Sequence, residues 1–421
     1  MAGNSSGNAA GRVVIVGAGM AGFTAASSLR DHGYAGAITM IGEESWLPYN
    51  RPPLSKAFLT GAVVESNVAL RAPTYYADKH IDVLTGRRVV AVDRTHHRAA
   101  LDDDTVHDYD HLIFAVGARN RPLPVPGVNL NGVFFLRTLD DAIALRARLG
   151  TAKRIVVIGA GFIGLEFALV ARKLGLDVTV VDIANRPMAR VLSTASSAVF
   201  VREHEKQGLR FRFETQIMRI LGEDGRVVGV EPVDGDNIDA DLVVIGIGVI
   251  PNTEIAAASN LDIGDGIVVD EHLRTSDPAI SAIGDCASHP NGFAQGARLR
   301  LESVQNANDQ ARCVAARLVG KPTAYASVPW FWSDQGELKL QIAGITTGSN
   351  RTIVRGDASG TKCSIFCFQG DRFTGVETIN NPGEHLLGRK LLGNRLALSC
   401  AQAADTTFDL KGHAAKMTTV G

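Results

Sequence analysis

The first 285 residues of this 421-residue chain contain no cysteine; the five cysteines are Cys286, Cys313, Cys363, Cys367 and Cys400. A flavin-linked disulfide reductase needs a reactive thiol near its cofactor, commonly early in the chain or within the nicotinamide domain. Neither place has one. No cysteine spacing matches a zinc or iron–sulfur site, so no metal is expected. Cys363 and Cys367 share one face of a strand-like run and read as small buried apolar residues, with a redox pair as the alternative. An excess of one charge is missing too: 43 basic against 44 acidic side chains leave a net charge of −1. That balance points to neither nucleic acid nor an anionic membrane as partner. No apolar run is long and charge-free enough to span a bilayer. The stretch Met1–Gly11 is small, polar and without the apolar core of a signal peptide. The expectation is a disordered tail on a soluble, cytoplasmic protein of two or three domains.

Glycine is plentiful, with 44 residues. Twice it falls into the dinucleotide-binding pattern: Val13-Val14-Ile15-Val16-Gly17-Ala18-Gly19-Met20-Ala21-Gly22, and Ile155-Val156-Val157-Ile158-Gly159-Ala160-Gly161-Phe162-Ile163-Gly164. Each begins with four apolar residues, the mark of a strand buried on both faces, and runs on into a helix-like stretch. In such a unit the first glycine makes the tight turn. The second lets a pyrophosphate approach the backbone, and the third lets helix and strand pack closely. The helix N-terminus then aims free N–H groups and its positive dipole end at the phosphates. Glycine turns in an ordinary α/β domain are the plain alternative for one copy. Two copies in this context imply two dinucleotides and electron transfer between them.

The acids that follow help to assign the ligands. Val178-Thr179-Val180-Val181 ends on Asp182, placed to accept from both adenosine ribose hydroxyls and to repel a 2′-phosphate, which favours NADH. Arg186 and Arg190 follow closely and would soften that preference. Ile38-Thr39-Met40-Ile41-Gly42 ends on Glu43 in the same way. For either acid, a solvated loop carboxylate is the alternative. Between the glycine units, Leu47 to Thr60 carries Arg51-Pro52-Pro53-Leu54-Ser55-Lys56, where the prolines suit a short helix start. That helix would hold Arg51 and Lys56 stiffly on the side of the first glycine motif; a proline-rich surface turn is the plainer reading. Asp110 to Ala118 and Asp241 to Gly248 each read as an acid, an apolar strand and a small-residue turn.

These segments, with Gly159 to Ala168 containing Glu166, Thr275-Ser276-Asp277-Pro278, Gly284-Asp285-Cys286, Glu302-Ser303-Val304 and Pro329-Trp330-Phe331-Trp332-Ser333-Asp334, occur in a fixed order. In that order the chain resembles the FAD-dependent ferredoxin reductases of oxygenase systems, a family that includes putidaredoxin, biphenyl-dioxygenase and rubredoxin reductases. The resemblance runs from about Arg12 to about Asp409. It implies that Gly17, Gly19, Ala21 and Gly22 surround the FAD pyrophosphate, Glu43 its ribose, and Val89 its adenine through the backbone. By the same resemblance Arg51 and Lys56 contact FAD, Lys56 near the flavin N5. Asp285 holds the ribityl chain or pyrophosphate, and Val304 lies near the flavin ring. Gly159, Gly161 and Gly164 hold the NADH pyrophosphate and Asp182 its ribose. Glu166 sits near Lys56 and the nicotinamide carboxamide, and Trp332 lies beside the flavin at the docking surface. For Trp332, a core tryptophan is the rival reading.

The implied fold is α/β: two Rossmann-like dinucleotide domains, one inserted in the other as in glutathione reductase, plus a small C-terminal α+β domain. The FAD domain is placed at 1–118 and 247–326, the NADH domain at 119–246, and the C-terminal domain, covering the flavin, at 327–421. The implied activity is NADH oxidation through FAD with single-electron export to a [2Fe–2S] ferredoxin serving a P450 or a ring-hydroxylating dioxygenase. Lys56, Glu166 and Trp332 would be its catalytic residues. Arg298, Arg300 and Arg312 are candidate docking cations, although Glu302 and Asp309 among them leave a mixed-charge face open. The competing functions are a rubredoxin, monodehydroascorbate or quinone reductase on the same scaffold, a redox-sensing interaction protein, and a disulfide reductase, which the missing thiols disfavour.

Overall fold

The computed structural model describes residues 11–416, so the tail expected over Met1–Gly11 lies, except for Gly11, outside the described residues. The chain divides into two compact units, each assembled from three separate pieces.

The first unit comprises residues 11–50, 69–119 and 251–327. Its centre is a parallel sheet in the order Ile280–Ala282, His111–Phe114, Val13–Val16, Ile38–Gly42, Ile81–Thr85. Val13–Val16 lies in the middle, buried along its whole length, which is why four consecutive apolar residues are needed there. Helix Met20–Asp31 crosses from it to the neighbouring strand and packs along helix Val304–Leu318, where the Thr24 hydroxyl donates to Asn308 Oδ1 at 2.7 Å.

The second unit comprises 51–68, 120–250 and 328–416. It repeats the plan: a parallel sheet ordered Arg210–Arg212, Asp177–Val181, Arg154–Ile158, Leu242–Ile245, Val133–Phe135, with helix Phe162–Lys173 leaving the central strand. To this unit belongs an antiparallel sheet ordered Trp330–Gln335, Leu338–Gly344, Arg372–Ile379, Lys362–Gln369, Arg351–Asp357. Helix Pro382–Gly393 packs on it.

Residues 51–68 differ from the sequence expectation. Chain order assigns them to the first domain, but they pack within the second unit. Phe58 is fully buried, with the Arg146 guanidinium 4.4 Å from its ring centroid. Arg146 also pairs with Glu65 at 2.6 Å, and Arg51 donates to the Arg137 carbonyl at 2.7 Å. These partners are remote in sequence, so nothing local announces them.

Candidate functional site in two glycine loops and a buried ion pair

The two loops are built alike. Gly17 N–H donates to the Ile41 carbonyl and Gly159 N–H to the Val181 carbonyl, both at 2.8 Å. Both glycines have left-handed backbone, φ +115° and +107°. A Cβ on Gly17 would strike the Ala115 carbonyl, and one on Gly159 the Gly246 carbonyl. On Gly22 and Gly164 it would strike the carbonyl of the first glycine in the same loop, so these positions exclude any side chain. The middle glycines behave differently. Gly19 has nothing within 4 Å of an added Cβ, and Gly161 only the Gly246 carbonyl at 3.7 Å. Both are helix N-caps with no side-chain cap, leaving N–H groups free for an anion. Space at the middle glycine and crowding at the outer two are what a bound pyrophosphate requires, so both loops fit a dinucleotide.

The surroundings of the loops are not equal. In the first unit Ala21 is buried, and a Cβ on Gly284 (φ +75°) would come within 3.1 Å of it. The turn Gly284–Cys286 thus lies against the loop helix and brings Asp285 with it. Val304, partly buried, opens the adjoining helix, capped by the Ser303 hydroxyl. Glu43 projects from its strand end, 74% exposed, with Arg88 at 4.0 Å. Val89 is buried and paired with Leu101. In the second unit Ile163 and Ile183 stay exposed beside the loop, at 45% and 77%. Asp182 accepts from Ala160 N–H at 2.6 Å and Ala184 N–H at 2.8 Å, which fixes its carboxylate at the loop. Arg186 is turned inward onto the Leu192 and Ala189 carbonyls and the Ser197 hydroxyl.

Lys56 and Glu166 meet within the second unit. Lys56 Nζ lies 2.6 Å from Glu166 Oε2 and donates to the Pro52 carbonyl at 3.2 Å. Glu166 is only 4% exposed, and its oxygens also accept from the Ser55 and Ser333 hydroxyls at 2.5 and 2.6 Å. Neither serine was singled out from the sequence. Glu377, also unforeseen, accepts from Ser193 N–H and Oγ and from Ser196 Oγ, tying the C-terminal sheet to the start of helix Thr194–Lys206. Burial raises its carboxyl above the ordinary range. Trp332 is half-buried on strand Trp330–Gln335, its ring 5.5 Å from that of Trp330.

Two of the three arginines are paired with acids. Arg300, 10% exposed, pairs with Asp265 and Glu302; Arg312 pairs with Asp309; Arg298 donates to the neutral Val269 and Ser288 carbonyls. All five cysteines are free, four of them buried, and burial pushes the Cys286 thiol up to about 11. A thiol held protonated is a poor nucleophile. Among the described residues no cluster of side chains suits a metal ion, and no helix is long and apolar enough to cross a membrane.

The pyridine nucleotide-disulphide oxidoreductase family model matches residues 11–311, and the reductase C-terminal model matches 330–414. Rhodocoxin reductase of Rhodococcus erythropolis is 53% identical over 399 residues, 95% of this chain and 93% of that one. The ferredoxin reductase for the CYP199A2 system from Rhodopseudomonas palustris superposes with a TM-score of 0.94 at 47% identity, over 96% of this chain and all of that one. Putidaredoxin reductase in its covalent complex with putidaredoxin gives 0.93 at 40% identity, over 96% of this chain and 98% of that one. The chain belongs to the pyridine nucleotide-disulphide oxidoreductase family. It is an oxidoreductase, and the family implies FAD and NAD(P)H as its cofactors.

Proposed function

We propose that this protein is an NADH-dependent ferredoxin reductase, passing electrons through FAD one at a time to a [2Fe–2S] protein that serves a P450 or ring-hydroxylating dioxygenase. The observation that carries it is two glycine loops, each open only at its middle glycine, in a chain whose first 285 residues contain no thiol. FAD, when bound, accepts a hydride from NADH and releases the electrons singly. The protein's share is placement and electrostatics. Gly17, Gly19, Ala21, Gly22, Glu43, Arg51, Val89, Asp285 and Val304 are the proposed FAD contacts. Gly159, Gly161, Gly164 and Asp182 are those for NADH. NADH is favoured over NADPH because Asp182 presents a fixed negative charge and Arg186 has its guanidinium bonded inward. Lys56, held by Glu166, supplies positive charge for the reduced flavin. Trp332, its ring tilted against that of Trp330, is proposed for the exit side. The ferredoxin contact near Arg298, Arg300 and Arg312 is proposed to be a mixed-charge one. The setting is the cytoplasm, where NADH is supplied.

Purified protein should be yellow, and NADH should bleach it without air. Offered NADH and a panel of [2Fe–2S] ferredoxins and rubredoxins, it should reduce a ferredoxin fastest. Preferential turnover of rubredoxin, a quinone or ascorbate radical would replace the acceptor; a protein that takes up no FAD would end the proposal.

A further inference from the structure

Strand Trp330–Gln335 alternates, and its Ser333 and Gln335 are both fully buried. Behind them, on helix Thr194–Lys206, lies His204, also with no exposed surface. Three polar side chains in such a place cost stability unless their hydrogen bonds are made, and apolar residues of the same size would do as well for the fold alone. Their bonds form a line. His204 Nε2 lies 2.8 Å from Gln335 Oε1, and Gln335 Nε2 donates to Ser333 Oγ at 3.2 Å and to Met188 Sδ at 3.5 Å. Ser333 Oγ donates to Glu166 Oε1 at 2.6 Å.

The direction of the line follows from its ends. Glu166 only accepts, so the Ser333 hydrogen goes to it, and Gln335 must donate to the serine oxygen. The Gln335 oxygen is then left for His204, whose proton sits on Nε2. His204 Nδ1 is buried with no partner among the described residues. An unpaired lone pair there is more easily tolerated than an unpaired N–H. Burial lowers the imidazole to about 4, so it is neutral at pH 7. Of the groups facing Glu166, Lys56 is the charged one; His204 stands at the far end, uncharged.

Building on the function proposed above, we propose that Ser333, Gln335 and His204 are positioning residues that hold the Glu166 carboxylate aimed at Lys56. Each N–H and O–H in the line points toward the carboxylate. With Ser55 and Lys56 on Oε2 and Ser333 on Oε1, both oxygens are engaged and the group is held against rotation.

The test uses the FAD-loaded enzyme and anaerobic stopped-flow reduction by NADH over a range of pH. Ser333→Ala should lower the limiting rate of bleaching about tenfold, the usual scale for losing one hydrogen bond to a charged group. NADH affinity should stay within about twofold. Ser333→Thr, which keeps the hydroxyl, should restore the rate. An alanine variant as fast as wild type, or a threonine variant as impaired as the alanine one, overturns the proposal. A wild-type protein that NADH cannot bleach overturns the functional reading instead. The wild type also supplies an independent readout: histidine ¹⁵N NMR, assigned with His204→Gln, should find His204 neutral with its proton on Nε2. A proton on Nδ1, or on both nitrogens at pH 7, overturns the proposal whether or not the serine variants fold.

Discussion

The two glycine loops are near copies in backbone and differ in what surrounds them. In the first unit the loop helix lies against the turn Gly284–Cys286 and along a second long helix, and Ala21 is buried. In the second, Ile163 and Ile183 remain exposed and the acid at the strand end is bonded to the loop itself. The same loop backbone is thus set among different neighbours: a turn and a long helix in one unit, two exposed isoleucines and a loop-bonded acid in the other.

The largest effect should come from forcing a side chain into either turn. Gly17→Ala should yield colourless protein; Gly159→Ala should yield yellow protein that NADH no longer bleaches. Flavin absorbance per chain and anaerobic reduction distinguish them, and equal FAD loss in both would erase the contrast. Next comes acid stability, where the units should behave alike. Burial depresses His111 in the first unit to about 3 and His204 in the second to about 4. Both are neutral when folded and take up protons more readily when unfolded. Their contribution is therefore present above about pH 6.5 and lost as pH falls toward 4, worth on the order of 3 kcal/mol for each. Thermal unfolding followed between those values should show a steep drop in Tm; a flat profile would show that neither is buried neutral.

Lys56→Met should slow flavin reduction about a hundredfold with FAD retained, since a positioned charge is removed, and should also lower thermal stability because the buried Glu166 loses its cationic partner. Stopped-flow rates near wild type would remove Lys56 from that role. Asp182→Asn, which keeps an acceptor and loses the charge, should weaken NADH binding about tenfold and leave NADPH nearly unchanged. Equal losses for both would mean that the acid serves the loop alone. The smallest effect is expected from salt. With Arg300 and Arg312 already paired, ferredoxin reduction should change only about threefold between low and physiological ionic strength. A steep dependence, absent with ferricyanide, would reveal a positive surface outside these arginines.

Much of the architecture was legible because the signals were local. Four buried residues before a glycine turn, then a helix, occur within a short window, and both sheets formed around them. Lys56 and Glu166 could be linked only through family resemblance, since 109 intervening positions carry no physical hint of contact. Ser55, Ser333, Gln335 and His204 stayed hidden for the same reason: a serine in a strand is unremarkable until the fold brings a carboxylate from a distant helix against it. Residues 51–68 pack within the second unit, a placement that chain order does not announce. Compensation of the arginines was half-visible in Glu302 and Asp309, while Asp265, the other partner of Arg300, is remote in sequence.

Each unit draws its last piece from late in the chain: residues 251–327 complete the first, and those from 328 onward complete the second. During synthesis strand His111–Phe114 emerges with its neighbour Ile280–Ala282 still unmade. Glu166 leaves the ribosome well before Ser333 exists to bind it. The first unit cannot finish folding before residue 327 has emerged, nor the second before nearly all of the chain has, unlike a tandem array that matures from its N-terminus. Cutting this protein at a linker to obtain two working modules should therefore fail.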